Sequence, residues 1–457
     1  MKRRDRTIAV LAVTFAVLVF AATCVRIVRR YSVPGPFNAD LQGLCDFHNG
    51  LYFPARALLD GISPYSEAYA AAYPVSRPIP LFSPWVLIAH FPLAVLPLRL
   101  AEVLFMALQL VLIAAMSSIV VTTTRWYELW EIRPSTAWCV TFAGLMATRA
   151  VHATILNGYF TFELILGVWI ALLFADRRPL VSGIALLFVA IKPTFVLPLG
   201  CLMLARGNFK ALLIGGTLSV LLTFGPIAWI IAAGSDPATT SWSDWSSQIQ
   251  ATQASHRAVP SESPVNSWTR IDSLSLIAKW LRLSPNDWVH LGSMFLMLLP
   301  AGGLLHHQWR RRKLQQSESQ AREQDNWNHG ASLTSPTATL LLLTVTISVY
   351  HQFYDGLLLV IPAIAIAIGS AGWENWNRTS RITLAIAITA PLWNYASAGF
   401  VVGRFENEIT TRILTSVNAA ALLGSWLFLI AYVYRNSTGG PRLVTGDMGP
   451  NLDPSAG

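Results

Sequence analysis

Long apolar runs recur along the whole chain, and the short loops between them carry most of its arginines and lysines. One water-facing core cannot absorb such a pattern. Only 12% of the 457 residues are charged and 53% are hydrophobic, against roughly 25% charged in a soluble domain. With a mean hydropathy of +0.47, the surplus apolar surface has nowhere to be buried except in lipid. The expected fold is therefore an all-α, polytopic membrane bundle. The net charge of +9 lies in small clusters between the runs and forms no single basic stripe, so it reads as membrane orientation and not as nucleic-acid binding.

Twelve crossings reconcile the apolar runs with the basic loops: near 7–28, 100–123, 136–152, 159–175, 179–191, 194–205, 210–232, 288–305, 336–350, 356–371, 382–400 and 412–434. The two short runs around Lys192-Pro193 are read as a shallow hairpin. The stretch 80–97 holds four prolines, Pro80, Pro84, Pro92 and Pro97, and suits a broken re-entrant or interfacial segment on the outer face. Arg125/Arg133, Arg177-Arg178, Arg206/Lys210, Arg310 to Lys313, Arg378/Arg381 and Arg435 then all fall in the cytoplasm. Arg26, Arg29 and Arg30 fall outside, against the trend. The first run is long and lacks a clean small-residue cleavage site, so it is read as an uncleaved span.

Residues 1–434 thus make one membrane domain, with outer loops at 29–99 and 233–287, a cytoplasmic polar loop at 306–335 and a disordered cytoplasmic tail at 435–457. Cys24, Cys45, Cys139 and Cys201 show no CxxC spacing, no metal set and no disulfide framework. Trp242, Trp245 and Trp268 fit interfacial anchors better than sugar-stacking rings.

An ionisable side chain in or beside a span is expensive in hydrocarbon, which makes each one a functional candidate. The candidates are Asp46 beyond the first span, Arg149 and His152 in the third, Glu163 in the fourth, Lys192 at the hairpin tip, and His351 with Asp355. All lie on the outer half of the bundle in this topology. Each also has a plain alternative. Asp46 can be a solvated loop acid, Lys192 can snorkel, and Arg149 with His152 can anchor the interface. Glu163 can pair with Lys192 or Arg149, and His351 with Asp355 at i,i+4.

Several of these residues sit in segments that resemble glycosyltransferase family 87. Asp46-Phe47-His48 to Tyr52, then Ala55-Arg56-Ala57-Leu58-Leu59-Asp60-Gly61 and Ser63-Pro64-Tyr65, is similar to that family's outer-loop signature. Pro80-Leu81-Phe82 to Pro97 resembles its proline-bounded segment, Asn157-Gly158 its glycine turn, and Gly183 to Lys192-Pro193-Thr194 its Lys-Pro-Thr hairpin. Ser348-Val349-Tyr350-His351 to Asp355 is similar to its late segment before an apolar helix. The ordered likeness runs over roughly residues 40–362, with Tyr159 where the family has Gln and Ile79-Pro80 where it has Tyr-Pro-Pro.

The resemblance implies a GT-C type, all-helical enzyme of the cell membrane with its active site on the extracytoplasmic face. Such an enzyme moves a hexose, mannose foremost, from a polyprenyl-phosphate-linked donor to a glycolipid or glycan, with no cofactor and no metal. Asp46 would be the base, and a positioned carboxylate of this kind accelerates a reaction about 10²–10⁴-fold. Lys192, Arg149 and His351 are the cations available to the leaving phosphate, and His152, Asn157, Asp355 and Glu163 complete the candidate substrate contacts. The rival reading is a polytopic transporter or flippase, for which two matching halves with paired broken helices are the sign. A non-catalytic envelope-assembly protein is the third, and an inert Asp46 is its sign.

Overall fold

The computed structural model describes residues 3–30, 43–75, 83–234, 236–257, 263–319, 333–370 and 372–438. Among these the fold is helical, with one isolated antiparallel bridge between Arg270 and Gln352. Helix α1 spans Arg3–Arg30. A π-helical turn, Phe47–Tyr52, runs straight into α2, Phe53–Leu59. Three short helices follow: α3 (Glu67–Ala72), α4 (Trp85–Ala89) and α5 (Phe91–Ala94). Then come α6 (Leu98–Thr124), α7 (Pro134–Met146), α8 (Arg149–Asn157), α9 (Thr161–Phe174), α10 (Pro179–Val189), α11 (Pro193–Ala205) and α12 (Phe209–Ala233). The last third holds α13 (Trp242–Arg257), α14 (Ser273–Leu281), α15 (Asp287–Ser319) and α16 (Pro336–Ser348). A 3₁₀ segment, Phe353–Leu359, leads into α17 (Val360–Ile368), α18 (Arg378–Trp393), α19 (Gly399–Val402) and α20 (Glu408–Thr438).

Local chemistry sets many of these boundaries. Proline occupies the first helical position of α7, α10, α11 and α16, where its fixed φ and missing N–H cost nothing. Left-handed residues stop α6 at Arg125, α8 at Gly158, α12 at Gly234 and α17 at Gly369.

Five helices are long and apolar enough to cross a bilayer, α1, α6, α12, α15 and α20, or six if α7 and α8, bent by 69° at their break, form one span. Every one of the twelve expected crossings is helical in its middle, and with five or six helices of spanning length among the described residues the count of twelve is not confirmed. A 13-residue helix such as α16 rises only about 20 Å, against a hydrocarbon core of roughly 30 Å. These shorter helices form the centre. Every residue of α16 from Ala338 to Ser348 is buried, as is all of the 3₁₀ segment. By contrast α1 turns Val10, Leu11, Val17 and Leu18 outward, a surface that only lipid can cover.

Three expectations about the connections change. The outer loops 29–99 and 233–287 are not plain loops, since their described parts carry α2 to α5 and α13 to α14. The polar loop 306–335 begins as helix, because α15 continues to Ser319. Residues 320–332 lie outside the described residues, as do 439–457 of the expected tail, whose start belongs to α20. The arms around Lys192 start from and return to one end of the bundle, with Arg206 beside Asp176 at 3.8 Å, while α10 packs chiefly on α9 and α12 and α11 on α15 and α16.

The bundle has two distinct ends. Helix α11 leaves Lys192 and reaches Arg206, and α16 starts beside Thr334 and arrives at His351. Arg206 meets Asp176 at 3.8 Å, and Trp373 donates to the Thr334 carbonyl at 2.8 Å. Asp5 faces Arg133 at 3.9 Å. The clusters around Arg133, Arg178 and Arg206 therefore sit at the end of the bundle away from Lys192 and His351.

Candidate active site

The centre of the site follows from Pro193. A residue before proline is pushed into extended backbone, and Lys192 has φ −118° and ψ 107° as the residue capping α11. Its side chain enters the core, where Nζ donates to Asp355 Oδ2 at 2.9 Å with both side chains buried. Asp355 is fixed in turn by its own helix end. The Gln352 backbone N–H donates to Asp355 Oδ2 at 2.9 Å, closing a capping box on the 3₁₀ segment. Four rings enclose the ammonium, those of Phe195 at 5.2 Å, Tyr354 at 5.7 Å, and Tyr159 and Tyr350 at 5.8 Å, within the range of cation–π attraction.

His351 lies in the connection between α16 and the 3₁₀ segment, edge-on to Phe195 at 4.5 Å. Its Nδ1 meets the Val349 carbonyl at 3.1 Å. Burial lowers its pKa to about 4, with Asp355 opposing and Lys192 adding to the effect, so the imidazole is neutral. Three polar atoms of this region are buried with no hydrogen-bond partner: His351 Nε2, Asp355 Oδ1 and Thr194 Oγ1. Thr194 adjoins the Lys192-Pro193 turn and Asp355 bonds Lys192, so these open polar atoms stand around the same lysine and are available to a ligand.

Asp46 reaches the same region by a different route. It is half-buried and immediately precedes the π-helical turn, a form of helix frequent at functional sites. Leu44, two residues earlier, holds a left-handed φ of +55° that non-glycine residues seldom adopt. Its N–H donates to the Leu156 carbonyl at 2.7 Å. Gly158, with φ +72°, ends α8 so close to this turn that an added Cβ would sit 2.6 Å from Phe47 Cβ. Asp46 is thereby fixed to the end of α8 and lies within electrostatic range of Tyr354, one residue from Asp355. Two buried pairs hold the surrounding turns, His48 with Glu102 on α6 at 2.8 Å and His90 with Glu163 on α9 at 3.2 Å.

The structure thus brings Lys192, His351 and Asp355 together, with Asp46 within electrostatic range of the neighbouring Tyr354. Asn157, next to Gly158, stands at the end of α8. Arg149 approaches from behind, its guanidinium 4.0 Å from the centre of the Phe353 ring. Its N–H groups are taken by the Asn394 carbonyl and by Ser397 Oγ at 2.7 Å. His152 Nδ1 is 3.1 Å from the Tyr395 hydroxyl. These two form a neighbouring cluster around 394–397. Glu163 pairs with His90 and not with Lys192 or Arg149, and Asp355 takes Lys192 and not His351. In both cases the closest opposite charge came from another segment of chain, which spacing within one helix cannot reveal.

Sequence reading passed over the aromatic enclosure, Tyr350, Tyr354 and Phe195, although Tyr350 and Phe195 lie within three residues of His351 and Lys192. It also passed over Arg270 and Asp272, a buried pair with Arg270 Nε to Asp272 Oδ2 at 2.8 Å. Arg270 lies 4.8 Å from the Tyr350 ring. Among the described residues no group of three His, Cys, Asp or Glu side chains could hold a metal ion.

A helical bundle with lipid-length apolar helices and a buried Lys192–Asp355 pair at one end defines a membrane protein with a built polar centre. The comparisons give it a family. The model of glycosyltransferase family 87 matches residues 81–323, more than half of the 457, and the chain belongs to that family. It is a membrane glycosyltransferase. The matched range contains Arg149, His152, Asn157, Glu163 and Lys192, while Asp46, His351 and Asp355 lie outside it. No curated protein and no solved structure matches the chain.

Proposed function

We propose that the protein transfers a hexose, with mannose the favoured sugar, from a polyprenyl-phosphate-linked donor to an extracytoplasmic glycolipid or glycan. The observation that carries the reading is the buried Lys192–Asp355 pair with an open polar valence on Asp355, with the half-buried Asp46 within electrostatic range of Tyr354, in a chain of this family. A donor whose tail stays in lipid needs its polar headgroup met at the bilayer edge.

The reaction is a single inverting displacement. The acceptor hydroxyl gives its proton to the Asp46 carboxylate as its oxygen bonds the anomeric carbon, and the bond from that carbon to the phosphate oxygen breaks to release polyprenyl phosphate. Charge grows on the departing phosphate, and Lys192 is the cation for it. His351 Nε2, Asp355 Oδ1 and Thr194 Oγ1 offer hydrogen bonds to sugar hydroxyls, and the tyrosine rings offer apolar faces. No cofactor takes part in this scheme.

The test is transfer by membranes containing the protein. Given radiolabelled polyprenyl-phosphate-mannose and envelope lipid acceptors, they are expected to label the acceptor fraction. Label absent with that donor and present with another lipid-linked sugar would overturn mannose; no transfer from any lipid-linked sugar would overturn the donor class.

A further inference from the structure

A second concentration of charge lies apart from the Lys192 centre, where α14 meets the first turns of α20. A cleft of about 270 Å³ opens there, lined by Lys279, Arg282, Glu408, Thr411, Arg412 and Thr415 among others. Arg282 Nη2 reaches both oxygens of Glu408, at 2.9 and 3.1 Å, and Arg412 pairs with the same carboxylate. Lys279 has no such partner. Its side chain is only 3% exposed, and its Nζ donates to the Thr415 carbonyl at 3.1 Å, with no carboxylate in ion-pair contact among the described residues and Asp272 acting on it only from further away. Three cations lining the cleft thus share one carboxylate.

A buried ammonium without a counter-ion is costly. Burial, with Arg270 nearby, lowers the Lys279 pKa to about 8, against the opposing pull of Asp272. The cleft therefore favours an anion. Its walls say what carries that anion. Ile277, Trp280 and Leu281 on α14 and Ile409, Ile413 and Val417 on α20 all turn apolar side chains outward. Trp280 keeps its indole N–H on Ser416 Oγ at 3.1 Å while its ring stays half-exposed, the posture of a membrane-interface tryptophan. The volume is below the ~300–1,000 Å³ of sites that enclose whole ligands, so a headgroup enters and its tails remain outside along those apolar residues.

We propose that this cleft binds the phosphate of an anionic lipid, held by Lys279, Arg282 and Arg412. The site needs nothing from the sugar-transfer reading, and its test is a binding measurement that uses no donor or acceptor. The full chain in a neutral detergent is titrated with short-chain phosphatidic acid, with phosphatidylcholine of the same length and with inorganic phosphate, and isothermal titration calorimetry reports binding. Saturable binding of phosphatidic acid is expected, with phosphatidylcholine about tenfold weaker or worse. Lys279→Gln should weaken phosphatidic acid binding about tenfold. Glu408→Gln, at an exposed position, should strengthen it several-fold by releasing both arginines. Inorganic phosphate binding as tightly as phosphatidic acid would overturn the lipid assignment, and unchanged affinity in both variants would overturn the site.

Discussion

Lys192 and Lys279 are both almost fully buried, yet their surroundings differ in one respect that decides what each can do. Lys192 has a carboxylate 2.9 Å away and four aromatic rings around it. Lys279 has a single carbonyl at 3.1 Å, and the carboxylate lining its cleft, Glu408, is taken by two arginines. The first site is nearly neutral and tightly built, suited to positioning a reaction. The second keeps unspent positive charge beside lipid-facing surface, suited to holding an anion. Burial alone does not assign a role; the balance of charge around the buried group does.

The largest effect that can break this contrast comes from removing one partner of the first pair. Asp355→Ala leaves Lys192 charged and unpaired in the core and should cost about 3–5 kcal/mol, read as a lowered unfolding midpoint in detergent. The double change Lys192→Met with Asp355→Leu should recover much of that loss. Lys279→Met, which removes an uncompensated charge, should leave the midpoint unchanged or raise it. If it destabilised as severely as Asp355→Ala, the two lysines would not differ as described.

A smaller loss, about 1–3 kcal/mol, is expected for Gly158→Ala, because the new Cβ meets Phe47 at 2.6 Å in a left-handed backbone. Transfer activity should fall with it, since the displaced turn carries Asp46. The two centres should also respond to pH in opposite ranges. The folded-state pKa of His351 is lowered to about 4 from an ordinary 6.5. The unfolded chain therefore binds a proton that the folded chain refuses, and stability should be full above pH 6.5 and fall as pH drops toward 4. Lys279 must carry its proton to hold an anion, so phosphatidic acid binding should be strongest below pH 8 and weaken as pH rises through it. The other charged groups facing the cleft are Arg282, Arg412 and Glu408, with Asp272 and Arg270 beneath.

The membrane class, the helical identity of every apolar run and the glycosyltransferase family were legible in the sequence, because hydropathy, proline position and motif order are local properties. The bundle's depth was not. Apolar runs such as Pro336–Ser348 and Thr161–Phe174 read as full-length crossings but are short, largely buried helices, and composition alone does not distinguish lipid from protein as the surrounding medium. Charge pairing was half legible. Lys192 and Asp355 were both marked, but their pairing across 163 positions depends on tertiary packing, as does the capture of Glu163 by His90. The Lys279 cleft gave no signal, since Lys279 and Arg412 are far apart in the chain and neither sits in a motif.

The central claim is that Asp46, among the acids of its segment, is the reacting one. Asp60 lies fourteen positions further along the same stretch, exposed and bonded to Arg56 and the Tyr73 hydroxyl, and serves as its control. Transfer rates should be measured side by side for the wild type, Asp46→Asn and Asp60→Asn at equal membrane content. The account predicts a loss of about 10²-fold or more for Asp46→Asn with near-normal turnover for Asp60→Asn. Turnover surviving in Asp46→Asn, or lost equally in both, would contradict it.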